Sequence, residues 1–174
     1  EIVVQAQRDL DATVHDNDEL SALIDRIAAR IGGKRVVVHL PQDTHIPERA
    51  ALAAPAQQYL ATATQAAWPV REDVPPLRPL RLFEKPEPIK VPFATVPDGP
   101  PHHFTWRRVT HAVVRVEGPE RIAMEWWRDD AGRSLTRDYF RVEDRDGHRF
   151  WLYREGLFGS ETNRPQWYMH GLFS

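Results

Sequence analysis

The sequence predicts a mainly β chain of the α+β kind: one N-terminal helix, a proline-rich connector, then a small antiparallel β-barrel or curved sheet. Three observations predict it. From Phe104 onward the chain breaks into short runs of strand-like residues, with turn signals at intervals of about 8–12 residues. Thirteen of the 15 prolines lie between Pro41 and Pro101. Thirteen of the 17 aromatic residues lie from His102 onward. The implied organisation is a strand-helix-strand unit over 1–40, a connector over 41–101 that packs in part, and an antiparallel β domain over 102–174.

The first unit opens on a short strand, Glu1 to Gln7. A helix follows over Asp16 to Gly32. Asp16 stands as its N-cap, with Glu19 three residues on as in a capping box. Leu20, Leu23, Ile24, Ile27 and Ile31 recur at helical spacing and form one apolar stripe. Gly32 sits where a left-handed C-cap is expected. Val36 to Leu40 reads as a strand ended by Pro41. The stripe either packs on these strands or forms a docking face for a partner helix.

The connector is uneven. Ala50 to Ala67, rich in Ala, Gln and Thr, is either a loose helix or disordered. Val74 to Val96 carries enough proline for extended, polyproline-like chain. Its apolar residues Leu80, Leu82, Phe83 and Ile89 place it against the β domain or against another protein.

The β domain begins with strands over Phe104–Val109 and His111–Glu117. Gly118-Pro119-Glu120 is a turn, Arg121–Trp127 a further run, and Asp129–Gly132 another turn. The clearest signal is the hairpin over Thr136–Tyr153, centred on Asp146-Gly147, a pair that supplies the positive φ angles of a tight type I′ turn. Period two sends Phe140, Val142, Phe150 and Leu152 to a core. Tyr139, Arg141, Arg149, Trp151 and Tyr153 take the other face. Gln166 to Phe173 is the last strand.

Composition excludes several functions. A net charge of -2 gives no global field for nucleic acid. Without cysteine there are no disulfides and no thiolate metal sites, which fits a reducing compartment. No apolar run approaches the roughly 20 residues that span a bilayer. The adjacent His102 and His103 point opposite ways in an extended chain and chelate one metal poorly. Asp129-Asp130 and Glu143-Asp144 fall at or beside turns, where solvation and turn-making explain them without metal ions. No nucleophile elbow, Walker loop or zinc-protease motif is present. The reading is a noncatalytic chain with no cofactor.

Two binding readings stand. Arg137, Tyr139, Arg141, Arg149 and Tyr153 could stack bases and contact phosphates of single-stranded DNA. Against this, the 12 arginines from His102 onward are nearly balanced by 11 acids. Trp126, Trp127, Trp151, Leu157, Phe158, Trp167 and Tyr168 supply more large apolar groups than a small core needs, and Trp, Tyr and Arg are the usual anchors of protein interfaces.

Several strings carry a resemblance to a known family. They are Gly118-Pro119-Glu120-Arg121-Ile122-Ala123, Glu125-Trp126-Trp127, the run Thr136 to Asp144, Arg149-Phe150-Trp151-Leu152-Tyr153-Arg154, and Trp167 to Phe173. Leu23-Ile24-Asp25-Arg26, Arg30-Ile31-Gly32 and His45-Ile46-Pro47-Glu48-Arg49-Ala50 extend the match. Together they resemble the C-terminal part of ImuB-type proteins, Y-family DNA polymerase homologues of the bacterial mutasome. The resemblance implies a noncatalytic region that follows the little finger, in a cytoplasmic protein associated with the nucleoid during DNA damage. It implies three partners: an ImuA-like RecA-fold protein, an error-prone replicative-type polymerase α subunit, and the sliding clamp. The clamp-binding peptide of such relatives, of the Gln-Leu-x-Leu-Phe kind, is replaced here by Gln7-Arg8-Asp9-Leu10-Asp11. Leu80-Arg81-Leu82-Phe83 has the apolar end without the leading Gln.

Overall fold

The computed structural model describes residues 18–65, 77–92, 99–128 and 134–173. The expected strand at Glu1–Gln7, the Asp16 cap, the Gln7–Asp11 peptide and the Asp129–Gly132 turn lie outside these residues. The chain divides into two compact units, Glu1–Thr44 with Arg49–Glu72, and His45–Glu48 with Asp73–Ser174. This division differs from the proline boundaries. The proline-rich stretch contributes to both units, and four of its residues, His45–Glu48, belong to the β unit.

In the first unit, helix α1 spans 18–31. Strands β1 (Val37–Pro41) and β2 (Ala51–Pro55) form an antiparallel pair, and helix α2 (Ala56–Gln65) follows directly. Within the segment Ala50–Ala67, the described residues from Ala51 to Gln65 are thus a strand and a helix. Its helical part carries Ala56, Ala61 and Ala63, the residue type that costs least in a helix. Gly32 takes φ of 92° at the end of α1, and its N–H donates to Ala28 O at 2.8 Å. Only two residues of the α1 apolar row are buried, Ile24 and Ala28, while Leu20, Leu23, Ile27 and Ile31 stay exposed.

The second unit is a curled six-stranded antiparallel sheet. Its strands are β3 (Arg81–Pro88), β4 (His103–Trp106), β5 (Val109–Ile122), β6 (Arg137–Asp144), β7 (Arg149–Glu155) and β8 (Gln166–Leu172). Their spatial order is β3-β8-β7-β6-β5-β4. The two edges meet just past β3, where Lys90 and Thr105 exchange both backbone hydrogen bonds at 3.1 and 2.8 Å. Trp106 Nε1 adds a 2.7 Å bond to Glu87 across the same seam. The sheet therefore curls nearly into a barrel, which removes most of its exposed edge. The polyproline-like segment joins it as an edge strand, the place where Pro86 can be tolerated, with a register shift between Leu82 and Glu87.

Three local readings are corrected. Phe104–Val109 is not one strand: it breaks at Arg107-Arg108, both at positive φ, 47° and 70°. Nothing in two arginines signals such a turn, which usually favours Asn or Gly. Gly118-Pro119-Glu120 is an irregularity inside the long strand β5 rather than a turn. Arg121–Trp127 leaves the sheet after Ile122, and Trp126–Arg128 form a 3₁₀ turn.

The central hairpin also differs in its turn. Gly147 N–H donates to Asp144 O at 3.1 Å, and Asp144 N–H donates to His148 O at 3.0 Å. Gly147 takes φ of 81°. This is a three-residue loop in which Gly147 supplies the left-handed position. The longer loop sets the register Phe140↔Leu152 and Val142↔Phe150. A two-residue turn at Asp146-Gly147 would slip the pairing by one and split these four residues between faces. Burial of the apolar set thus selects the turn. Phe140, Val142, Phe150 and Leu152 join Ile89, Phe104, Trp167 and Met169 in the interior of the curl.

Candidate functional site

The outer face of β6, β7 and β8 carries the residues expected to meet DNA. Tyr139 and Trp151 stack at 4.2 Å, Tyr153 and Tyr168 at 5.0 Å, and His170 lies against Trp151 at 5.4 Å. Tyr139, Trp151 and Tyr153 are each at most 2% exposed. They form a second apolar cluster with Ile122 and with Ile46, which arrives on the segment His45–Glu48. Arg78 covers Trp151 from 4.9 Å, its guanidinium held by two 2.5 Å bonds to Glu120. The aromatic half of the expected DNA face is therefore interior.

Its arginines are largely committed to acids. Arg137 Nη1 donates to Glu48 at 2.8 Å while its guanidinium lies 4.8 Å from the Tyr153 ring. Arg141 pairs with Glu117. Arg149 is exposed at the start of β7. Burial pushes the Glu48 carboxyl up, but the Arg137 hydrogen bond and charge outweigh it and hold the group below its ordinary value. Burial pushes His170 down to about 4. Its imidazole is neutral at neutral pH, with Nδ1 2.8 Å from Tyr139 Oη. Burial raises both the Tyr139 and Tyr153 phenols.

Two buried carboxylates organise the rest. Asp138 accepts two bonds from Arg121, at 2.7 and 3.0 Å, and one from Arg154 at 2.7 Å. Asp144 accepts from the backbone N–H of Asp146 and His148, at 3.0 and 2.9 Å, and faces His111 Nδ1 at 2.8 Å. Asp144, Asp146 and His148 could approach one cation. Asp144 is occupied in tying down the hairpin loop, so turn-making remains the explanation for it.

The candidate partner anchors separate sharply. Trp126 and Trp127 are 79% and 57% exposed and pack edge to face at 5.8 Å. Their 3₁₀ turn is braced from below: Glu125 is buried and bonds Arg128 at 3.2 Å. His45 Nε2 lies 2.6 Å from Ala123 O, and its ring is 6.5 Å from Trp127. Phe158 is 48% exposed, and Leu157 and Tyr168 are half-buried. Trp151 and Trp167 are interior. Among the seven expected anchors, the structure places Trp126, Trp127 and Phe158 at the surface.

A further concavity escaped the sequence reading. Trp106, His111, His148, Arg149, Phe150 and Leu172 line a cleft of about 310 Å³ at the loop end of the curl. The alternation of Phe104 and Trp106 and the position of His148 beside Asp146-Gly147 were its only signals. Among the described residues no helix is long and apolar enough to cross a membrane.

Comparison with known proteins adds the following. A family model described as Domain of unknown function (DUF6504) matches residues 82–173. Two curated relatives, each "Protein ImuB", come from Caulobacter vibrioides strains NA1000 / CB15N and ATCC 19089 / CIP 103742 / CB 15. Each is 44% identical over 97% of this chain. The chain spans 36% of the length of these relatives. No solved structure matches.

Proposed function

The chain belongs to the family described as Domain of unknown function (DUF6504) and is an ImuB-type C-terminal region; from that premise we propose that it is a noncatalytic adaptor in translesion DNA synthesis, docking the proteins that act at a lesion. The observation that carries this reading is the Trp126–Trp127 pair. Two adjacent indoles at 79% and 57% exposure are costly to leave in water. Large exposed aromatics mark interaction sites. The turn that carries the pair is braced by the Glu125–Arg128 bond and by His45 on Ala123 O, so little backbone entropy is lost when a partner covers it.

The partners in this reading are the ImuA-like RecA-fold protein and the error-prone replicative-type α subunit. Trp126 and Trp127 are the central anchors, with Phe158, Leu157 and Tyr168 as further contacts. The work is done at the cytoplasmic nucleoid, at sites of damage. Co-purification with each partner tests it. Trp126→Ala with Trp127→Ala should abolish capture while the protein stays folded. Undiminished capture of both partners by the folded double variant would refute the reading.

A further inference from the structure

We propose that the loop end of the β unit is a nucleotide site for single-stranded DNA: the base enters the Trp106–His111–His148–Phe150 cleft and its phosphate meets the arginine groove beside it. This goes beyond the docking reading and rests on different residues. The cleft is predominantly walled by rings. Phe150 meets Trp106 at 6.3 Å, His111 at 4.8 Å and His148 at 6.2 Å. At about 310 Å³ it has room for one base. The His148 side chain is 66% exposed, with Nδ1 3.3 Å from Asp144, so its ring forms an open, solvent-facing wall of the cleft.

Two features favour a base over an apolar side chain of a protein. The first is His111. Its Nδ1 faces the Asp144 carboxylate at 2.8 Å, and a carboxylate only accepts, so that nitrogen carries the proton. In the tautomer with the proton on Nδ1, Nε2 is an acceptor, and it is buried without a hydrogen-bond partner. A base edge offers N–H donors to it, whereas an apolar side chain leaves it unpaired.

The second feature is Arg149. It lines the cleft and also an adjoining groove of about 200 Å³ that holds Arg115 and Arg141. Glu117 and Glu143 share that groove, and Glu117 pairs with Arg115 and Arg141. Three arginines and two glutamates line this groove, so its charged side chains sum to +1 where one phosphate would lie. An aromatic slot joined to a cationic groove is the arrangement by which single strands are held without sequence readout. A duplex keeps its bases stacked and cannot enter.

The test is an anisotropy titration of a labelled oligothymidylate with this chain, at low and at moderate salt. Binding at low salt that weakens as salt rises is expected. His148→Ala and Trp106→Ala should each weaken it about tenfold. Arg149→Gln should reduce the salt slope by about 0.7, the contribution of one phosphate contact on a single strand. Trp106 packs partly in the core, so circular dichroism must show that variant folded; His148 is exposed and carries the test by itself if it is not. Absence of binding at low salt overturns the proposal. So does binding that His148→Ala leaves unchanged, or that duplex DNA competes away equally well. Occupation of the cleft by a partner peptide, with the oligonucleotide excluded, also overturns it.

Discussion

Glu48 Oε1 accepts a 2.8 Å hydrogen bond from Arg137 Nη1 across 89 residues of sequence. Both side chains are nearly buried, at 13% and 11% exposure. This pair fastens the segment His45–Glu48 to the outer face of the sheet, and Ile46 between them reaches full burial. Breaking a buried pair leaves a desolvated charge behind. Glu48→Ala should therefore cost about 3 kcal/mol in urea unfolding. Glu155, 3.5 Å from Arg137, offsets part of the loss.

Ile46 itself should matter as much. It is completely buried in the second apolar cluster. Ile46→Ala should cost roughly 2–5 kcal/mol, with the higher values if the cavity fails to collapse. The expected signature is a lower midpoint with an unchanged denaturant slope, together with a rise in Trp151 exposure read by fluorescence quenching.

Acid should loosen the same face before it unfolds the rest. His170 is neutral in the fold, with its pKa lowered to about 4 from 6.5. The unfolded chain therefore binds a proton there that the folded chain does not. This contribution is fully present above pH 6.5 and is lost as pH falls toward 4. Glu48, Asp138 and Asp144, held low by their partners, lose theirs only as pH falls through their own depressed values. Unfolding free energy should thus drop between pH 6.5 and 4, by up to about 3 kcal/mol from His170. His170→Gln should flatten that part of the profile.

The edge strand depends on a missing side chain. A Cβ on Gly171 would lie 2.4 Å from Pro79 Cγ and 2.9 Å from Arg81 O. Gly171→Ala should push Pro79 and β3 away from β8, costing about 1–3 kcal/mol as for other overpacked sites. Hydrogen exchange should speed up at Leu82, which pairs with Gly171.

The interior of the curl was legible because it depends on period-two alternation and on residues close in sequence. Phe140, Val142, Phe150 and Leu152 needed only their alternation on two adjacent strands, although the loop length that aligns them was not read. The mainly β class followed from the same pattern. The outer face was not legible. Tyr139, Trp151 and Tyr153 alternate with arginines as an exposed face would, and Ile46, which buries them, comes from some 90 residues upstream. Local pattern carries no information about such a contact. The same limit hid the cleft, whose walls come from β4, β5, β7 and β8. The anchors were readable as residue types but not as positions: Trp126, Trp127 and Trp167 look alike until Trp167 is seen to point inward from β8.

The most direct test of the docking account is the affinity of the ImuA-like partner for this chain, measured by calorimetry with Trp126→Ala, Trp127→Ala and Trp167→Phe. The two surface variants should keep the wild-type unfolding midpoint and each lose at least about 2 kcal/mol of binding, some thirtyfold in Kd. Trp167→Phe should lose stability and keep its affinity at a temperature where it is folded. Wild-type affinity in both surface variants would contradict the account.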